Sequence, residues 1–148
     1  MTNLNGTQYP DFEVLQTELL DILSPLCDRA ELRVQFPLSD FDISADKPTI
    51  TVSIKTISIC NAYAKNSPFP VTVTLSVGVY VPKASDSSLC YSLFSEVSRL
   101  LLESAISLKE ISCTELEYIP DLRHYCLKLE AKLKPFDTKE ENNGNTDL

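Results

Sequence analysis

Phe12, Leu15, Leu19, Ile22, Leu23 and Leu26 recur at spacings of three and four. That is the apolar stripe of an amphipathic helix. Pro10 or Asp11 stands at its start, and Asp11 and Glu13 suit the positive end of the helix dipole. Pro25 interrupts the helix, and Ser24 can cap a further short turn. Over residues 31–36 the period changes to two. Leu32, Val34 and Phe36 alternate with Glu31, Arg33 and Gln35, which predicts a short strand closed by Pro37. Residues 38–48 hold three Asp, two Ser and a Pro, and read as a long loop.

Residues 49–62 are strand-like, but Ile50, Val52 and Ile54 fall on one parity and Ile57 and Ile59 on the other. A bulge at Lys55 and Thr56 keeps both sets on the inner face. Val71, Val73, Leu75, Val77, Val79 and Val81 give the clearest strand of the chain. The connection over 61–70 reads as a long hairpin arm. Leu89, Leu93, Phe94, Val97, Leu100 and Leu101 predict a second helix, with Ser85 as N-cap, Asp86 in its first turn, and an end near Ser104. A closing hairpin follows. Leu116 and Tyr118 oppose Glu115 and Glu117 on its first arm. Tyr125, Leu127, Leu129, Ala131 and Leu133 line one face of its second arm, which Pro135 ends. A turn over 119–122 would set Leu116 against Tyr125 and Glu117 against His124.

The order helix, strand, strand, strand, helix, strand, strand indicates an α+β fold. We expect one antiparallel-rich sheet of about five strands with both helices on one face. Residues 1–9 are polar and read as a flexible N-terminus, 10–136 as the single domain, and 137–148 as a disordered acidic tail.

Composition narrows the chemistry. The chain has 148 residues, a formal charge of −8, one His, three Gly and no Trp. These counts argue against a basic nucleic-acid binder, a Gly-rich phosphate loop and a multi-His metal site. Four tail acids against Lys139 account for three of the eight negative charges, so the body is nearer −5. Five scattered cysteines without a C-x-x-C spacing read as free thiols in a reducing cytoplasm. Residues 1–10 lack the basic and apolar regions of a secretory signal, and no apolar run reaches membrane-spanning length.

Three constellations could carry chemistry, each with a plainer alternative. His124 could be a general base oriented by Glu117, or an exposed strand residue in a cross-strand pair. Cys113 and Cys126 could be a diagonal redox pair on one face, or two small strand residues. Asp40, Asp42 and Asp46 could be oxygen ligands for Ca²⁺, but they lack the Gly and distal Glu of a calcium loop, and a solvated loop also accounts for them. Lys128, Lys132 and Lys134 form a basic edge on the last strand, where Lys also guards against edge pairing. No catalytic residue, cofactor site or metal site is assigned.

The segments ELRVQFP, PTITVSIKTISI, VTVTLSVGVYVP and ISCTELEYIPDLRHYCLKLEAKL, with a Ser-capped helix before the last, carry a resemblance over about residues 10–135. In order of elements, size and local flavour the chain resembles the tail-terminator and tail-completion proteins of long-tailed phages, in the form found in prophages of Gram-positive bacteria. The resemblance implies a non-enzymatic α+β subunit of a homo-oligomeric ring, usually a hexamer, seated on the tail tube. Such a ring stops tube growth and joins the tube to the neck. It implies tube and neck proteins as partners, with no small-molecule substrate, specific nucleic acid or membrane. Assembly would take place in the host cytoplasm, and the ring would then reside in the virion tail. Six copies, each at −8, would give a ring of formal charge −48, suited to passing DNA without holding it. Candidate interface residues are Tyr63, Lys65 and Phe69 on the arm, Asp40 and Asp42 in the loop, and Lys128 and Lys132 on the last strand. The alternative is a non-catalytic α+β module that binds a ligand or protein on the sheet face between the two helices.

Overall fold

A computed structural model describes residues 11–34, 36, 43–59 and 71–138. The first helix, α1, spans Phe12–Leu23. Asp11 caps it, its Oδ1 accepting the N–H groups of Glu13 and Val14 at 3.1 and 3.2 Å. Leu15, Leu19 and Leu23, on one stripe, are buried. Pro25 ends the helix in a 3₁₀ turn over Ser24–Leu26. Ser24 does not cap that turn; its hydroxyl donates back to the Asp21 carbonyl at 2.8 Å.

Strand β1 covers Glu31–Val34, β2 Thr49–Ile59 and β3 Val71–Pro82. The expected bulge is present: the β2–β3 register shifts between Ile54 and Thr56, leaving Lys55 without an opposite residue. Both apolar sets thereby stay on the inner side, Ile54 opposite Leu75 and Ile57 opposite Val73. The second helix, α2, covers Leu89–Glu103 and starts later than the Ser85 cap predicts. Ser88 is its N-cap, and Asp86 instead accepts the Ser88 N–H at 3.0 Å, closing a turn ahead of the helix.

Three strands complete the sheet: β4 Ile106–Cys113, β5 Glu117–Ile119 and β6 His124–Thr138. The sheet has six strands rather than about five, in the order β1-β2-β3-β6-β4, with β5 also paired to β6. The pair β1–β2 is parallel and all others are antiparallel. The closing hairpin keeps the expected parity but is offset by two residues: Tyr118 faces Tyr125 and Glu117 faces Cys126. Its tight turn has Arg123 at a φ of 56°. Pro135 does not end β6. Pairing with β4 passes from Lys134 directly to Thr138, so the proline lies where the ladder asks for no donor.

Both helices pack on the same sheet face. Ile50, Val52, Val77, Val79, Leu127 and Leu129 are buried there in one core with Leu15, Leu19, Leu93 and Val97. No helix among the described residues is long and apolar enough to cross a membrane.

Candidate functional site

The outer face of the sheet, away from the helices, is built from cross-strand rows. One row reads Thr49, Tyr80, Cys126, Glu117, and the next Thr51, Gly78, Lys128. Below them lie Ser53, Ser76, Glu130, Ser112 and then Thr56, Thr74, Lys132, Glu110. The two halves of this face differ.

The upper half is closed. Thr49, Thr51, Cys126 and His124 are buried. Tyr80 lies over Gly78, where an added Cβ would stand 2.7 Å from the tyrosine ring and 2.8 Å from the Thr51 hydroxyl. A glycine is required there because two side chains already occupy the space. Burial and the adjacent Cys126 push the Tyr80 phenol up to about 12. Burial also pushes the Cys126 thiol up, although Lys128 and a hydrogen bond from Tyr80 oppose the rise.

His124 is 3% exposed, which corrects its expected place on an exposed cross-strand pair. It stands opposite Ile119 and Pro82, not Glu117. Its Nδ1 lies 2.5 Å from the Leu122 carbonyl and its Nε2 2.8 Å from the Ser44 carbonyl. Both ring nitrogens face main-chain oxygens, so the imidazole links the 43–48 segment to the β5–β6 turn. The general-base reading loses its orienting carboxylate. The cysteine pair is also separated, because the β4–β6 register puts Cys113 opposite Leu129 while Cys126 faces Glu117. Of the five cysteines, Cys27, Cys90, Cys113 and Cys126 are described, and all four are free. Among the described residues no group of three His, Cys, Asp or Glu is placed to hold a metal.

The lower half, from Lys128 downward, is open around a cavity although Thr74 within it is buried. The cavity has a volume of about 490 Å³ and is lined by Lys55, Ser76, Ser112, Thr114, Lys128 and Glu130. Lys55 pairs with Glu130 across two strands. Lys128 and Lys132 are exposed and, among the described residues, enter no ion pair. These are the two expected interface residues that the structure places. Tyr63, Lys65, Phe69, Asp40 and Asp42 lie outside the described residues. Ile57 and Ile59 are exposed at the end of β2, beyond the last β1 pair, Val34 with Val52.

Two surfaces escaped the sequence reading. One is a groove of about 660 Å³ between α2 and edge strand β4, with Phe94, Leu102, Leu108 and Ile111 in its walls. Finding it required recognising β4. The other is the solvent side of α1, where Glu13, Glu18 and Asp21 are exposed beside Val14 and Leu20. The signal was in the chain: residues 11–28 hold five acids and no Lys or Arg. Burial and repulsion from Asp21 raise the Glu18 carboxyl above its usual range.

The surface expected between the helices is not available, since core side chains fill that sheet face. No protein-family model matches the chain, and no curated protein matches it.

Proposed function

We propose that this chain is a structural subunit of phage or prophage morphogenesis, a tail-terminator-like protein that assembles into a ring, caps the tail tube and joins it to the neck. What supports this reading most is the open, lysine-bearing outer face of the sheet on a subunit whose one histidine is tied to main-chain carbonyls. The exposed Ile57 and Ile59 at the end of β2 supply further contact surface of the kind an oligomer uses. The helix, three strands and second helix that precede the final strands agree with the order on which the resemblance rests, and β4 is an added strand. A ring requires two different surfaces on each subunit, repeated around a closed rotation.

The test is to add the purified chain to polymerising cognate tube protein and view the products by negative-stain microscopy. Tubes of limited length with a ring at one end are expected. Uncapped tubes of unrestricted length would overturn the reading.

A second reading is a non-catalytic binding module, and the groove between α2 and β4 favours it. Its walls are largely apolar, with Phe94, Leu102, Leu108 and Ile111 among them. Leu102→Arg would abolish ligand capture under this reading and leave tube capping intact under the first.

A further inference from the structure

The charge of the folded body is unevenly distributed. On the lower half of the outer sheet face, Lys55, Lys128, Lys132 and Lys134 stand against Glu110 and Glu130. Four lysines against two glutamates leave +2 on a chain whose total is −8. On the opposite side of the molecule lies the helix layer. There α1 and its flanks, residues 11–28, carry five acids and no base. The lower outer face of the sheet is therefore basic and the α1 side of the helix layer acidic.

We propose that the lower outer face of the sheet receives the acidic crest of α1 from a second copy of this chain. Charge complementarity selects that occupant. The crest presents Glu13, Glu18 and Asp21, and Lys128 and Lys132, which enter no ion pair among the described residues, face outward from the sheet. Glu18 and Asp21 repel each other, and a neighbouring cation relieves that repulsion. The hydroxyls of Ser76, Ser112 and Thr114 line the cavity between the lysines and can donate to incoming carboxylates. Val14 and Leu20, exposed on the same helix, lose water-facing apolar surface in the contact. Because the two surfaces differ and lie on opposite sides, the contact is head-to-tail and propagates into a ring or an open filament. This inference rests on the ring reading and names the surfaces that would form the ring.

Sedimentation velocity on the full isolated chain, without tube protein, tests it. The variants are a sheet double, Lys128→Glu with Lys132→Glu, and a helix double, Glu18→Lys with Asp21→Lys. All four residues are exposed, and thermal melts confirm folding. The wild type should associate at about 20 mM salt and weaken by about tenfold at about 500 mM. Each double variant alone should lose about tenfold in affinity, and the equimolar mixture should regain wild-type association because each reversed face then meets its complement. The neutral pair Lys128→Gln with Lys132→Gln gives the same weakening if the reversed chain fails to fold. Failure of the mixture to recover would overturn the inference. So would a wild type that stays monomeric at low salt, or a sheet face whose lysines bind a duplex DNA probe instead. A chain that forms rings insensitive to these charges defeats this inference and leaves the ring reading standing. One that associates through these faces but leaves tubes uncapped defeats the capping reading alone.

Discussion

Replacing Val77 by aspartate places a carboxyl in the centre of the sheet, between Val52 and Leu129 and on the face covered by the helices. Val77 is 1% exposed, so the change removes one fully buried aliphatic side chain, a loss of about 1.5–3 kcal/mol. A neutral carboxyl left there without a partner costs a further ~1–3 kcal/mol. Burial holds the introduced acid protonated in the folded chain while it ionises near pH 3.9 in the unfolded chain. The folded state then binds the extra proton, so stability falls as pH rises, by about 1.4 kcal/mol per unit above that point. The loss is therefore about 2.5–6 kcal/mol near pH 4 and larger at neutrality, against a total of about 5–15 kcal/mol for a typical domain. Ser76→Asp is the matched control. Its neighbours on the outer face are Ser53 and Glu130, so it meets water, one repelling carboxylate and the nearby Lys55. Its cost should be about 1 kcal/mol or less. Urea midpoints at two pH values distinguish the pair. A Val77→Asp midpoint equal to wild type, or a Ser76→Asp variant that is the more damaged, would refute the assigned strand faces.

Gly78→Ala should cost about 1–3 kcal/mol, because the new methyl meets the Tyr80 ring and the Thr51 hydroxyl; an unchanged melting temperature would show that Tyr80 does not cover this position. Thiol labelling at neutral pH should modify exposed Cys27 and Cys113 well before buried Cys90 and Cys126, with the Cys90 thiol pushed up to about 11 by burial; equal rates would contradict the burial. In a spectrophotometric titration Tyr80 should ionise near pH 12, after an ordinary tyrosine. Its folded value exceeds its unfolded one, so the folded state loses stability as pH rises above about 10. Stability that is flat above pH 10 would contradict this.

How much of the fold was legible depended on how much of each strand's environment is local. β3 is buried over most of its length, and six apolar positions at period two marked it plainly. The phase slip at Lys55 was readable because both flanking sets must face one core. β4 was not readable. Two register irregularities fall within its eight residues, one after Ile106 and one between Leu108 and Glu110, and they scramble the alternation. Alternation fixes a strand's parity but not its register, which is why the closing hairpin was displaced by two residues with its faces correct. A four-residue strand carries no mark of direction, so the parallel β1–β2 pair could not be foreseen. His124 sits on an alternating strand like its exposed neighbours, and its burial comes from a segment eighty positions away in sequence. The lysines of the basic face were visible along β6. Their relation to the acids of α1 appears only once the sheet and the helices are placed on opposite sides of one slab.

The most direct measurement is the length distribution of tail tubes assembled from the cognate tube protein with the chain in molar excess, with their ends imaged by negative-stain microscopy. The account predicts shortened tubes that each carry a ring at one terminus. Tubes that keep growing with bare ends, at every concentration of the chain, would contradict it.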